Sequence, residues 1–259
     1  MVDVFTGKGY IITGAASGIG LATARILKQR GAMLSLWDQN AEALDGIKTQ
    51  LGAAHSFALD VTEANAVQAG MIEALGQLGE IHGVIHAAGI LHTGIFEDVA
   101  LEIHRRTIEV NLFGTLSVAH TAVPHLKSTR GSLVLFGSSS AFYGSPEYSS
   151  YGATKAAILN LAQTLRIELA EASVHVGVVN PLFVSTPMFN APHGQSRLSA
   201  SQSPFTHVYT AEQVAEAVVR GIERRKFMIW VGWRSRLIFW LSRYGSVISG
   251  RMMARTWRG

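Results

Sequence analysis

The stretch GYIITGAASGIGLATARIL, residues 9–27, decides the fold predicted for this chain. Its first five residues, Gly9–Thr13, have the length and apolar character of a strand, and apolar residues recur at helical spacing after Gly20. Gly14, Gly18 and Gly20 lie between the two patterns. Glycine permits a tight turn and lets backbone N–H groups at a helix N-terminus approach a phosphate closely. The spacing differs from G-x-G-x-x-G, but the same physics predicts a strand, a turn that binds a pyrophosphate, and a helix.

The rest of the chain alternates apolar runs with helical patterns. This alternation is typical of a parallel sheet with helices on both faces, and 259 residues, 48% of them hydrophobic, suffice for one such α/β domain. We predict further strands at residues 33–37, 55–59, 81–86, 131–137, 174–179 and 227–231. We predict helices at residues 19–30, 62–79, 99–126, 149–171 and 211–225, the third being one long helix or two joined.

A second stretch, SSSAFYGSPEYSSYGATK at residues 138–155, holds groups that can transfer a proton. Tyr151 and Lys155 are four residues apart and so share one face of a helix. An ammonium beside a phenol favours the phenolate, so we expect Lys155 to lower the pKa of Tyr151. Ser138, thirteen residues before Tyr151, follows a predicted strand, where its hydroxyl could donate to a substrate carbonyl. The alternative is that Tyr151 and Lys155 are only part of a solvated helix face.

Together, the TGAASGIG turn at residues 13–20, Ser138 and the YGATK segment at residues 151–155 resemble the short-chain dehydrogenase/reductase family, and the resemblance spans residues 6–226. Asn111, within VNLFG, matches the active-site asparagine of that family. The resemblance implies a single-domain Rossmann-type fold, a doubly wound parallel sheet of about seven strands in the order 3-2-1-4-5-6-7. It also implies hydride transfer with a nicotinamide cofactor by a catalytic tetrad of Asn111, Ser138, Tyr151 and Lys155. Lys155 would bind the nicotinamide ribose, and Asn111 would hold a water that links Lys155 to solvent.

Asp38 ends the second predicted strand and indicates which dinucleotide is preferred. Its carboxylate can accept hydrogen bonds from both ribose hydroxyls of an adenosine, and its charge would repel a 2′-phosphate. The neighbouring candidates Ser17, Gln39 and Asn40 are uncharged. NAD(H) is therefore the expected cofactor. The alternative is that Asp38 only caps the helix that begins near Ala41.

The resemblance implies a wider set of cofactor contacts, and two departures from the family pattern lie among them. His86 and Ala87 stand where the family usually has two asparagines, and Leu182 stands where it has glycine. The asparagines normally tie adjacent strands, so we expect less local support here. The cofactor-binding residues implied are Gly14, Ser17, Gly18, Ile19, Gly20, Asp38, Asp60, Val61, Ala88, Gly89, Tyr151, Lys155, Pro181, Val184 and Thr186.

The predicted substrate is a hydrophobic alcohol or ketone, such as a steroid, a retinoid, a long-chain alcohol or a lipid-linked ketone. Residues 187–209 have no clear periodicity and are expected to form a lid over it. The apolar residues expected to contact the substrate are Phe142, Tyr143, Leu182 and Met188. The alternative from another class is a catalytically idle NAD-binding sensor or scaffold that docks through its C-terminal helix.

The C-terminal residues differ in charge from the rest of the chain. Nine of the 22 basic residues fall within residues 224–259, which contain no Asp or Glu; the remaining 13 basic and 18 acidic residues leave the body at −5. We therefore divide the chain into a catalytic domain, residues 1–231, and a basic extension, residues 232–259. Trp233, Leu237, Trp240 and Tyr244 recur at helical spacing among arginines, a pattern that suits a helix lying in a membrane interface. The alternative is a helix that packs on the body or on a partner subunit.

Location and partners follow from weaker signals. The first residues, MVDVFTGK, show no basic segment followed by an apolar core, so a cytoplasmic location is expected, peripheral on the inner face of a membrane if the extension binds lipid. The chain has no cysteine, and His193 and His207 lack accompanying ligands, so no metal site is expected. The acidic body argues against nucleic acid as a partner. A homo-oligomer, dimer or tetramer, is implied by the resemblance alone.

Overall fold

A computed structural model describes residues 3–190 and 208–244. Its centre is a parallel sheet of seven strands in the order β3-β2-β1-β4-β5-β6-β9. The strands of this sheet are β1 (Gly9–Thr13), β2 (Met33–Asp38), β3 (His55–Ala58), β4 (Gly83–His86), β5 (Ser132–Phe136), β6 (His175–Asn180) and β9 (Met228–Trp230). The predicted fold class and strand order are confirmed, with β9 as the seventh strand of the sheet.

The described helices cover both faces of the sheet. They are α1 (Gly18–Gln29), α2 (Ala41–Leu51), α3 (Ala64–Leu78), α4 (Leu101–Ile108), α5 (Gly114–Thr129), α6 (Ser149–Glu168), α7 (Pro187–Asn190), α8 (Ala211–Glu223) and α9 (Gly232–Tyr244). Ile12 of β1 lies in the core cluster that includes residues of α1, α2 and α8, whereas the adjacent Ile11 lies in the cluster that includes residues of α3, α5 and α6. Successive side chains of a strand point to opposite faces, so two apolar layers enclose the sheet.

The long helical region predicted at residues 99–126 is two helices joined by a π-helical turn. The turn, Glu109–Phe113, lies between α4 and α5 and contains Asn111. The backbone there forms a wider turn than an α-helix, a feature that frequently occurs at functional sites. The turn directs the Asn111 side chain towards the loop after β4, where its amide hydrogen-bonds to the main chain of Ile90.

Two short strands outside the main sheet did not emerge from the sequence patterns. β7 (Phe183–Ser185) pairs in parallel with β8 (Val208–Thr210). Three-residue strands give too little periodicity to be recognised in a sequence. The predicted lid, residues 187–209, begins with α7 and ends within β8, while its residues 191–207 lie outside the described part of the chain.

The predicted C-terminal helix is α9, and residues 245–259 lie outside the described residues. Among the described helices there is none whose length and hydropathy would let it cross a bilayer. The division at residues 231 and 232 remains a prediction, since α9 follows β9 directly and packs against it.

Candidate active site

The glycine-rich turn opens onto a cavity at the carboxyl ends of the strands. Gly14 has φ +64°, a left-handed conformation, and a Cβ there would lie 2.8 Å from the backbone nitrogen of Ala88. A Cβ on Gly20 would overlap the carbonyl oxygen of Gly14. Only glycine therefore allows β1, the start of α1 and the loop after β4 to approach so closely. This close approach leaves the N-terminus of α1 facing an open space, as a bound pyrophosphate requires.

The cavity has a volume of about 420 Å³. Most of the residues predicted to bind the cofactor line it, and they come from five separate parts of the chain. The predicted residues that line it are Gly14, Ser17, Gly18, Ile19, Gly20, Asp38, Asp60, Val61, Ala88, Gly89 and Thr186. Pro181 and Val184 are buried and are not among the lining residues. The glycine cradle, the cavity and the carboxylate of Asp38 together fit a dinucleotide.

Asp38 is held at the end of β2 by two backbone groups. Its Oδ2 accepts a hydrogen bond from the Ala16 N–H at 3.0 Å, and its Oδ1 accepts one from the Asn40 N–H at 3.0 Å. Asn40, not Asp38, caps α2, because its side chain accepts a hydrogen bond from the Ala43 N–H at 3.1 Å. The interpretation of Asp38 as a helix cap is therefore wrong. Its carboxylate is instead fixed in orientation at the wall of the cavity.

Sequence reasoning missed a cation at the same end of the cavity. Arg106 of α4 lines the cavity and binds Asp60 with 2.7 Å between Nη2 and Oδ2. Burial raises the pKa of Asp60, but hydrogen bonds from Arg106 and Thr62 outweigh it and hold the pKa below its ordinary value. No local pattern could have revealed this pair, since its members are 46 residues apart. One turn after Arg106, Val110 lines the same wall.

Ser138, Tyr151 and Lys155 come together beside the end of β5. Ser138 begins a short 3₁₀ turn, and its Oγ accepts a hydrogen bond from the Ser140 N–H at 3.2 Å. Tyr151 and Lys155 lie one turn apart on α6, with 5.5 Å between the Lys155 Nζ and the centre of the tyrosine ring. Lys155 is buried, and its Nζ donates to the carbonyl oxygen of Phe136 at 2.9 Å. The interpretation of Tyr151 and Lys155 as a solvated face is therefore wrong for Lys155.

The pKa of Tyr151 shifts in the direction opposite to the one expected from the sequence. Burial raises it to about 12; the hydrogen bond with Ser138 lowers it, and the charge of Tyr148 raises it further. Burial also lowers the pKa of Lys155 to about 8. Both changes have one cause, because a site with little water disfavours the charged form of either group. The expected lowering of the tyrosine pKa by its lysine neighbour is not found, and Tyr151 carries its proton at neutral pH.

Asn111 connects the loop after β4 to α6. Its Oδ1 accepts from the Ile90 N–H at 2.8 Å, and its Nδ2 donates to the Ile90 carbonyl at 2.9 Å and to the Thr154 Oγ1 at 3.4 Å. The Asn111 carbonyl accepts a hydrogen bond from the Thr115 hydroxyl at 2.5 Å. A Cβ on Gly89 would lie 3.0 Å from Asn111 Oδ1 and 3.9 Å from Lys155 Nζ. Asn111 therefore fixes the backbone beside the lysine, whereas the predicted water remains a prediction.

His86 joins two neighbouring strands by a hydrogen bond, although less support was expected here because the family's asparagine is absent. It is buried, and its Nδ1 forms a 2.9 Å hydrogen bond with the Thr13 Oγ1. The same Thr13 oxygen accepts from the Ala88 N–H at 3.1 Å. Burial, followed by the charge of Lys155, lowers the pKa of His86 to about 3. A neutral histidine therefore joins β1 to β4.

The four predicted substrate residues have different surroundings. Met188 lines the cavity, as do Ile90 and Leu91. Leu182 is buried in the apolar core, and Tyr143 packs against that core. Phe142 instead packs in a cluster of aromatic side chains with Trp230 and Phe239, so it borders the C-terminal helix. The grouping of these four residues around a substrate stays a prediction; the turn after Ser138 directs Phe142 towards α9.

Residues 8–195 match the family model described as short chain dehydrogenase. The chain is 31% identical over 219 residues to a 3-oxoacyl-[acyl-carrier-protein] reductase of Thermotoga maritima, covering 82% of this chain and 89% of the relative. It is 32% identical over 249 residues to an 11-beta-hydroxysteroid dehydrogenase-like protein, 4A, of Arabidopsis thaliana, covering 91% of this chain and 80% of the relative. Among solved structures, a 3-ketoacyl-(acyl-carrier-protein) reductase from Brucella melitensis complexed with NADH superposes with a TM-score of 0.82 at 25% identity, covering 89% of this chain and 99% of that one.

Proposed function

Because the chain belongs to the short-chain dehydrogenase family, we propose that it transfers a hydride between NAD(H) and a hydrophobic alcohol or ketone, with Tyr151 as the general acid and base. The observation that carries the proposal is the meeting of Ser138, Tyr151 and Lys155 at the end of β5. Gly89 lines the cavity, and a Cβ on it would lie 3.9 Å from Lys155 Nζ. A cofactor binder without catalysis has no physical need for a buried lysine beside a partly buried phenol.

Asp38 supports NAD over NADP. Backbone N–H groups hold both of its oxygens in place, so the carboxylate cannot rotate away from a 2′-phosphate at this position and would repel it. The charge of Arg106, on the same cavity, is already paired with Asp60. Replacing Asp38 by serine should therefore improve use of NADP relative to NAD. The measurement is kcat/KM with each dinucleotide, and an unchanged preference would contradict the proposal.

The residues around the carbonyl or hydroxyl of the substrate have distinct tasks. The bound dinucleotide supplies or accepts the hydride. In ketone reduction, the neutral Tyr151 hydroxyl gives its proton to the carbonyl oxygen as that oxygen gains negative charge, and Ser138 donates a hydrogen bond to the same oxygen. Lys155 holds a positive charge beside the phenolate that results. In alcohol oxidation the proton returns from the substrate hydroxyl to the phenolate oxygen of Tyr151.

The proposed substrate is hydrophobic because Ile90, Leu91 and Met188 line the cavity, and the main chain of Ile90 is hydrogen-bonded to Asn111. The two relatives are named as a reductase of 3-oxoacyl groups on an acyl-carrier protein and as an 11-beta-hydroxysteroid dehydrogenase-like protein. These relatives support a lipid-like alcohol or ketone for this chain as well.

The experiment that tests the reaction measures NADH formation by the purified protein with a panel of hydrophobic primary and secondary alcohols, comparing NAD with NADP. Turnover of one class is expected, and Tyr151→Phe should lose nearly all of it while the affinity for NADH, measured by titration of NADH fluorescence, stays within about twofold. Turnover that survives in Tyr151→Phe would refute the proposed mechanism. Binding of NAD without turnover of any alcohol or ketone would favour the idle sensor or scaffold.

The proposed enzyme is also a homo-oligomer. Exposed apolar side chains concentrate on α4, the π-helical turn and the start of α5, where Leu101, Ile108, Phe113 and Leu116 are accessible. Such a patch is typical of a subunit interface. Light scattering is expected to give a dimer or tetramer, and Phe113→Ser should shift the protein towards the monomer. A monomeric wild-type protein at micromolar concentration would contradict this part.

A further inference from the structure

The C-terminal helix α9 exposes its apolar side. Trp233, Leu237, Trp240, Leu241 and Tyr244 are 68%, 40%, 46%, 46% and 77% exposed. At about 100° per residue these five positions fall within an arc of about 100°, the width of a typical apolar helix face. In a soluble protein that stripe usually faces the core. Here it faces away from the body, so we name these five residues the outer stripe.

A different side of α9 packs on the protein. Ser235, Ile238 and Ser242 are buried, and the Ser235 hydroxyl donates to the Val231 carbonyl at 2.8 Å. Next to them, Phe239 lies 4.9 Å from the Phe142 ring and 5.3 Å from the Trp230 ring, centre to centre. Packing on the body, the alternative left open by the sequence, is therefore correct for this side. This packing does not explain why the apolar side chains of the outer stripe are exposed.

Arginines flank the outer stripe. By the same helical geometry Arg234 and Arg236 lie on its two sides, Arg236 is exposed, and the guanidinium of Arg234 lies 5.5 Å from the Trp233 ring centre. These arginines lie beside the outer stripe and not opposite it, because the opposite side of the helix packs on the body. At the start of this region Arg224, Arg225 and Lys226 are exposed as well, and no acidic residue follows Glu223. A surface with this charge attracts anionic groups.

We propose that the outer stripe docks on the surface of a membrane that contains anionic lipids. Trp and Tyr side chains favour the boundary between lipid headgroups and hydrocarbon, where Trp240 and Tyr244, stacked with ring centres 5.2 Å apart, would lie. The flanking arginines would contact the phosphates above them. A protein partner with a matching groove would need acidic residues around an apolar centre, whereas a bilayer with anionic lipids supplies both along the whole helix.

Docking on this face brings the active-site loop close to the bilayer. The Phe142 side chain, four residues after Ser138, contacts Phe239 on the inner side of α9. A helix with its side chains is about 10 Å across, so Phe142 would lie about that distance from the lipid boundary. Under the proposed function, a hydrophobic substrate could then pass from the lipid to the active site over a short path. The docking itself does not rest on the proposed function and is measured without substrate.

The test is sedimentation of the full chain with vesicles of phosphatidylcholine, with and without phosphatidylserine. Wild-type protein should bind the anionic vesicles, more weakly as salt is raised. The double variant Leu237→Ser/Leu241→Ser and the single variant Trp240→Ser should each bind at least about tenfold more weakly. Arg234→Gln/Arg236→Gln should lose most of the preference for phosphatidylserine. Ile72→Ser, which removes an apolar side chain from α3 that is more exposed than Leu237, Trp240 or Leu241, is the control and should bind as the wild type does.

The proposal would be overturned if the wild-type protein bound neither kind of vesicle. It would also be overturned if Leu237→Ser/Leu241→Ser and Trp240→Ser both bound as strongly as the wild type. If the double leucine variant changes the oligomeric state in light scattering while vesicle binding is unchanged, the outer stripe is a contact between copies of this chain and the proposal is wrong. Circular dichroism and NADH formation with a water-soluble alcohol check that each variant is folded. Failure of turnover in the wild type would count against the proposed function and would leave the vesicle result intact.

Discussion

Replacing His86 by asparagine is expected to make the protein less sensitive to acid. His86 is buried beside Thr13, and burial together with the charge of Lys155 lowers its pKa from 6.5 to about 3. In the unfolded chain the same side chain gains its proton near pH 6.5. The contribution of neutral His86 to stability is therefore fully present above about pH 6.5 and is lost as the pH falls towards 3.

The size of this effect follows from the shift. One pKa unit corresponds to about 1.4 kcal/mol. Between about pH 7 and about pH 5 the unfolded chain gains most of one proton at this position, while the folded protein gains almost none. His86 alone should therefore lower the free energy of unfolding by about 2 kcal/mol over this interval.

Equilibrium urea unfolding at the two pH values measures the effect in wild-type protein and in His86→Asn. Asparagine does not titrate and can still hydrogen-bond to Thr13, so the variant should lose about 2 kcal/mol less stability on acidification than the wild type. Other titrating groups contribute equally to both proteins and cancel in the comparison. His120→Asn, at an exposed position on α5, is the matched control and should lose as much stability between the two pH values as the wild type does.

Equal losses of stability in wild-type protein and His86→Asn would refute the reasoning. Such a result would mean that His86 is protonated in the folded protein at about pH 5, so that its buried Nε2, for which the described residues offer no hydrogen-bond partner, meets an acceptor from solvent. A larger loss in the variant would refute it equally.

Three further predictions concern the active site. The kcat/KM for ketone reduction should stay constant up to about pH 8 and fall above it, because Lys155 loses its charge with a pKa of about 8. The kcat/KM for alcohol oxidation should rise towards alkaline pH, because Tyr151 has a pKa of about 12. A stopped-flow pH profile of both directions checks this, and a kcat/KM for reduction that rises above pH 8 would contradict it. Gly14→Ala should weaken NADH binding by at least about tenfold, since its Cβ would press on the backbone of Ala88, and fluorescence titration against Gly46→Ala, where a Cβ meets open space, separates this from a general effect of alanine. Arg106→Gln should raise the KM for NAD several-fold with little change in kcat, because Asp60 loses the partner that orients it at the cavity wall; a fall in kcat at constant KM would show that the reasoning is wrong.

Local patterns were sufficient for the architecture. The apolar runs and helical periodicities are properties of neighbouring residues, so β1 was predicted at its observed bounds. The order of the seven sheet strands was implied by the family resemblance that the glycine turn, Ser138 and the YGATK segment carry. The exception is the pair of three-residue strands, β7 and β8, which exist because distant segments meet. Such short strands have no periodicity of their own.

The sequence also identified most of the residues that line the cavity, because glycines that permit close approach and a carboxylate at a strand end have local signatures. It could not identify Arg106, since the pairing with Asp60 depends on how α4 packs beside the end of β3. It could not give the direction of the Tyr151 pKa shift either. Four-residue spacing indicates that the lysine is near, but only the folded environment determines how much water remains around the phenol, and burial is the largest cause of the shift.

The C-terminal helix shows the same division most clearly. The sequence by itself determined that residues after β9 form a basic helix with an apolar stripe, because that pattern depends only on the helical repeat. Only the tertiary structure decided which side of α9 faces the protein: Ser235, Ile238 and Ser242 pack inwards, while the outer stripe remains accessible. Helical spacing determines how side chains are arranged around the helix axis. Which of them face the body depends on how the helix is rotated about that axis, and the side chains that it packs against set this rotation. Here those partners are the rings of Phe142 and Trp230, which receive Phe239.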